Sequence, residues 1–179
     1  MNVQLAGLVE ESVVDGPGMR FVIFTQGCNH GCVGCHNPQT HDPAGGETVT
    51  IGWLKKQIDK QKLIRGITFS GGEPFMQAEA MAHLAHYAKT KNLHTLAYTG
   101  YTFEQLLAMS KTEVGIADFL AQLDMLVDGP FILEERDITL QFRGSKNQRI
   151  LDVPKSLKKG KAVLWEDPNE AVLKMLAPR

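Results

Sequence analysis

Apolar and polar residues fall in short blocks along this chain. Residues 20–25, Arg-Phe-Val-Ile-Phe-Thr, are nearly continuous in apolar side chains, as expected for a strand buried on both faces. Shorter runs predict strands at 3–9, 66–70, 94–98 and 124–128. Between them, helical spacing predicts helices over 52–62, 75–91, 103–109 and 113–123. Thr50 would cap the first, with Trp53, Leu54 and Ile58 on its buried face. His83 and His86 read as solvated or packed helix residues. Residues 37–50 look like loop, and weaker strand signals follow at 149–153 and 161–164.

Strands alternating with helices imply parallel βαβ units. The predicted class is therefore α/β, with about five or six mainly parallel strands. Most of these strands run into glycine-bearing loops, which the topology gathers on one carboxyl edge. That edge is where parallel α/β folds build their sites.

Composition narrows the setting. The chain has 179 residues, 43% hydrophobic and 22% charged, which suits a single soluble domain spanning 1–179. A net charge of -1 argues against broad attachment to nucleic acid or to an acidic membrane. No apolar run approaches the roughly 18 residues of a membrane span, and Glu10, Glu11 and Asp15 interrupt any secretory pattern. Cytoplasmic residence is the expectation, with thiols kept reduced. Seven of the 19 basic residues fall between Arg143 and Lys161, most simply a solvated face.

All three cysteines, Cys28, Cys32 and Cys35, lie in one glycine-bearing loop directly after the 20–25 run. An odd number in so short a span suits a metal centre better than disulfides. Zinc would take a fourth ligand, which His30, His36 or His41 could supply. An iron-sulfur cluster with only three thiolates would keep one iron open for a reacting ligand. The loop alone leaves both possibilities standing.

The strand at 66–70 ends in Gly71-Gly72-Glu73-Pro74. By itself this is an ordinary strand-to-helix turn. Its double glycine would also let backbone approach a small ligand closely, and Glu73 could receive an amine. Asp128, at the end of another strand, is a further candidate for ligand positioning or for capping.

Taken with the spacing C-x3-C-x2-C, this turn resembles the radical S-adenosylmethionine enzymes. The resemblance implies a partial, open β/α barrel in which Cys28, Cys32 and Cys35 hold a 4Fe-4S cluster. The open iron would chelate S-adenosylmethionine, with Gly71, Gly72 and Glu73 engaging its amino group. Asp15-Gly16-Pro17-Gly18, Arg20 and Cys35-His36-Asn37-Pro38 are similar to segments of glycyl-radical activating enzymes. The stretches 126–131 and 143–149 resemble those that act on anaerobic (class III) ribonucleoside-triphosphate reductase.

The resemblance covers about residues 5–153 and leaves the tail, 154–179, uninterpreted. It implies a glycyl-radical enzyme as partner and a flavodoxin- or ferredoxin-type electron donor. Reductive cleavage of S-adenosylmethionine would supply the radical, so no catalytic acid or base is expected beyond cluster and cofactor. Position 34, often aromatic in the wider family, is glycine here, so backbone around Gly34 and His36 would meet the adenine. Pro130 stands where some activases carry a lysine for the cofactor carboxylate; Arg143, Lys146 or Arg149 could replace that charge. The competing readings are a 7-carboxy-7-deazaguanine synthase acting on a small molecule and a non-enzymatic zinc or electron-carrier protein.

Overall fold

A computed structural model of the chain describes residues 1–167. Seven strands form one sheet: β1 (Asn2–Ser12), β2 (Arg20–Thr25), β3 (Glu47–Thr50), β4 (Gly66–Gly71), β5 (His94–Tyr98), β6 (Met125–Asp128) and β7 (Arg149–Asp152). Their spatial order is β3-β1-β2-β4-β5-β6-β7. The four central strands, β2, β4, β5 and β6, are mutually parallel, while β1, β3 and β7 are antiparallel additions. The sheet thus has more strands than expected, and parallel pairing is confined to its centre. Its end strands, β3 and β7, are not neighbours, so it remains open.

Strand parity divides the sheet into two faces. Phe21, Ile23, Ile67, Phe69, Ala97, Leu126 and Leu151 join the main core, whereas Leu96, Met125 and Val127 form a smaller cluster with Tyr98, Ile150 and Trp165. Alternate residues point to opposite faces, so both clusters arise from the same strands. The main core is covered by α1 (Ile51–Lys60), α2 (Ala78–Thr90), α3 (Phe103–Met109) and α4 (Ile116–Gln122). Phe119 of α4 meets Phe69 edge-on at 5.2 Å and Phe75 at 4.7 Å, which ties helix layer to sheet.

Local differences from the expected elements have physical reasons. β3 falls in the predicted loop because Glu47-Thr-Val-Thr50 is short, polar and mostly exposed, and only pairing with β1 makes it a strand. Thr50 does cap α1, accepting from Trp53 N at 3.1 Å. The buried stripe of α1 is Ile51, Leu54 and Ile58, so Trp53 lies off it and is 41% exposed. A 3-10 turn, Pro74–Gln77, precedes α2, where Glu73 caps Phe75 N. His83 and His86 are exposed, as expected.

Residues 161–164 form only an isolated bridge, Leu151 to Leu164, rather than a sixth strand. The uninterpreted tail contributes α5 (Val153–Lys159), capped by Asp152 and packed through Val153 and Ser156; residues 168–179 lie outside the described residues. Among the described residues no helix is long and apolar enough to cross a membrane.

Parallel register sets the carboxyl ends of the central strands side by side. Thr25 pairs with Gly71, Phe69 with Ala97, and Tyr98 with Val127. The loops after β2, β4, β5 and β6 therefore meet on one edge.

Candidate cofactor site

A cavity of about 460 Å³ opens on this edge. Its wall includes Cys28, Cys32, Cys35, His36, Gly71 and Gly72, six of the residues selected from sequence. All three cysteines are free and half-buried. The loop carrying them is anchored at its start, where Gly27 N donates to Thr40 O at 2.8 Å and Cys28 N to His41 O at 3.1 Å. Gly31 and Gly34 take left-handed angles of 60° and 73°, which let the chain wind tightly between the thiols. Asn37 N donates to Cys35 Sγ at 3.4 Å.

The cysteine loop and the Gly71-Gly72 turn touch directly. Gly72 N donates to Thr25 O and Glu73 N to Gly27 O, both at 2.8 Å. A Cβ on Gly71 would strike Thr25 backbone, and one on Gly72 would strike the Gly27 carbonyl. The double glycine is therefore required by close backbone approach.

Three sequence candidates do not reach the cavity wall. Gly34 lies beneath Leu133, whose methyl would be 2.9 Å from a Cβ at that position. Glu73 is fully buried and its carboxylate accepts from Phe75 N (3.0 Å), Thr99 Oγ1 (2.9 Å), Gly100 N (2.9 Å) and His30 Nε2 (2.7 Å). A buried carboxylate must be surrounded by donors, and this one turns toward the loop after β5 to find them. Asp128, 1% exposed, accepts from Phe103 N at 2.7 Å and pairs in two-pronged fashion with Arg149. The geometry puts it in capping and charge pairing.

Among the three possible cations, Arg149 is tied to Asp128 and Glu104, which holds its guanidinium more firmly protonated than usual. Lys146 is exposed near Asp137. Arg143 alone of these lines the cavity, and its buried Nε has no hydrogen-bond partner among the described residues. The preceding Phe142, also on the wall, has a left-handed φ of 55°, a strained backbone that delivers Arg143 to the cavity.

The donor set fits a cluster. Burial pushes the Cys28 thiol up, Glu73 and Cys32 add to that, and the backbone N–H groups of His30 and Gly31 oppose it. The Asn37 amide donates to the Cys35 sulfur, as it would to stabilise a metal-bound thiolate. Among the described residues no three His, Cys, Asp or Glu side chains gather as ligands of a single ion. His30 is engaged by Glu73, whereas His41 also lines the cavity and its buried Nε2 has no partner among the described residues.

Sequence reading missed the loop after β5. Thr99 and Gly100 hold Glu73, and Tyr101 Oη accepts from Asn29 at 2.6 Å. The available signal was Thr99-Gly100 at a strand end.

Fold and site together define an iron-sulfur domain of the S-adenosylmethionine-cleaving type. In agreement, the family described as a 4Fe-4S single cluster domain matches residues 14–151. The chain is 36% identical to the anaerobic ribonucleoside-triphosphate reductase-activating protein of Vibrio cholerae over 77% of its own length and 90% of the relative's. It is 30% identical to the protein of that name from Enterobacteria phage T4, over 76% of this chain and 86% of the other. The chain belongs to the family of anaerobic ribonucleoside-triphosphate reductase-activating proteins. Among solved structures, QueE from Escherichia coli aligns over 56% of this chain and 53% of that one, at 18% identity and a TM-score of 0.41. That likeness is too slight to argue from.

Proposed function

We propose that this chain is a radical S-adenosylmethionine activase that installs a glycyl radical on an anaerobic ribonucleoside-triphosphate reductase. One observation carries the reading: three free thiols and the Gly71-Gly72 turn open onto a single cavity at the carboxyl edge of the parallel strands. When bound by Cys28, Cys32 and Cys35, a 4Fe-4S cluster supplies the electron for reductive cleavage of S-adenosyl-L-methionine, the source of the radical that takes hydrogen from a glycine Cα.

The protein's own residues bind, orient and shield. Gly71 and Gly72 bring backbone polar groups close to the cofactor's amino acid end, and Glu73 holds that turn in place. Arg143, whose guanidinium donates to Gln148 O at 3.0 Å but has no carboxylate partner among the described residues, pairs the cofactor carboxylate. His36 packs against Phe131 at 4.9 Å, and these two rings with Phe142 make an apolar side for adenine. The sheet's open edges leave room for a glycine-bearing loop of the partner. The electron donor is of flavodoxin or ferredoxin type, and the setting is the cytoplasm.

Anaerobic reconstitution with iron and sulfide, followed by reduction and electron paramagnetic resonance, tests this directly. A reduced cluster signal that shifts with S-adenosylmethionine, with release of 5′-deoxyadenosine and a glycyl doublet on the partner reductase, is the expected result. Arg143→Ala should weaken cofactor binding by about tenfold to a hundredfold, the size expected for a lost charged hydrogen bond. Uptake of zinc with no cleavage would overturn the reading. Cleavage without transfer to a reductase would move it to a small-molecule enzyme.

A further inference from the structure

The thiol loop has no ladder hydrogen bonds of its own between Cys28 and Cys32, so something else must fix its middle. Two side chains do so. Asn29 Nδ2 donates to Tyr101 Oη at 2.6 Å, and His30 Nε2 donates to Glu73 at 2.7 Å. The His30 ring stands edge-on to Tyr101, with centroids 4.5 Å apart. It also lies over Gly100, where any Cβ would run into the imidazole. Gly100 has no left-handed angle, so its glycine serves space and not backbone freedom.

Glu73 is the common point. It belongs to the turn whose glycines line the cavity, it is held by Thr99 and Gly100 after β5, and it receives His30 from the loop after β2. One buried carboxylate thus joins three strand ends, and of its own bonds the one from His30 reaches between two of the thiols.

We infer that His30 is a positioning residue: its hydrogen bond to Glu73, admitted by the bare Gly100, locks the cysteine loop to the Gly71-Gly72 turn so that thiols and cofactor-facing backbone keep one geometry. The lock itself is made by protein atoms alone. Its value for the cluster rests on the proposed activase reading.

The test begins with reduced, metal-free protein and the alkylation rates of Cys28 and Cys32, resolved by mass spectrometry. Opening of the loop should expose both, so His30→Ala should raise their rates by about tenfold, the effect of losing one hydrogen bond to a charged group. Gly100→Ala, which pushes on the ring while leaving His30 in place, should act in the same direction. His30→Gln keeps an N–H donor of similar reach and should restore much of the protection. The second readout, on reconstituted protein, is the cluster's midpoint potential, which His30→Ala should displace and His30→Gln should bring back toward wild type.

Wild-type alkylation in both His30→Ala and Gly100→Ala, with unchanged circular dichroism, would overturn the lock. So would equal reactivity gains at all three thiols that Gln fails to reduce, since that marks general loosening. Because alkylation needs no cluster, the lock can stand where the activase reading fails, and fail where it stands.

Discussion

Arg20 and Glu73 occupy opposite ends of the same parallel strands, and both are completely buried. Each solves the same problem, a charge removed from water, by filling its hydrogen-bonding capacity. Arg20, at the amino ends, donates to Thr68 Oγ1 (2.9 Å), Ile67 O (2.6 Å), His94 Nδ1 (3.1 Å) and, more distantly, Pro17 O. Each lies against a glycine: a Cβ on Gly66 would strike the Arg20 guanidinium, as one on Gly100 would strike His30 beside Glu73.

The partners differ. Apart from Pro17, Arg20 bonds to β4 and β5, which the sheet ladder already aligns, so it strengthens a frame that exists without it. Glu73 bonds mainly to loop residues, which no ladder aligns. The same device is scaffold at one edge and site geometry at the other.

The largest expected effect is on the Arg20 side. Arg20→Met leaves several buried acceptors without donors and should lower unfolding free energy by about 3 kcal/mol or more in urea titrations. Its folded fraction should still reconstitute iron to the wild-type level. A small stability loss with large loss of iron would invert the comparison.

Next comes Glu73→Gln, which keeps the shape but replaces a charged acceptor by a neutral amide. About 1–3 kcal/mol of stability should go, while iron retention and cofactor-induced spectral change should fall more steeply than stability. Equal losses in both would make Glu73 scaffold like Arg20.

The smallest effect is a pH dependence at the amino edge. Burial, and then the Arg20 charge, lower the His94 pKa to about 4. The folded state therefore favours neutral His94, whose Nδ1 accepts from Arg20. Its contribution is present above pH 6.5, the ordinary histidine value, and is lost as pH falls toward 4. Thermal melts should show Tm dropping over that window, with a shallower slope in His94→Gln. An unchanged slope would remove His94 from the Arg20 network.

Much of this architecture was legible beforehand. The apolar run at 20–25 announced a doubly buried strand, and C-x3-C-x2-C followed by Gly-Gly-Glu-Pro pointed to the edge where the cavity opens. β3 was not legible, because four polar residues become a strand only when β1 offers its edge. Nor was the turning of Glu73 away from the cavity. A glutamate in a glycine turn reads as a ligand contact, and only its burial beside Thr99 and Gly100 makes it a tie between loops.

Arg143 illustrates the same limit. Three cations were equivalent as letters, and the fold paired one, exposed another and left the third on the cavity wall with a bare Nε.

The sequence by itself determined the alternation of strands and helices and the chemistry of the thiol loop, since hydrophobic period and residue type act locally. Tertiary structure alone decided which polar groups are free. That choice depends on which strand ends meet, and a buried charge takes whatever donors or acceptors the fold places beside it.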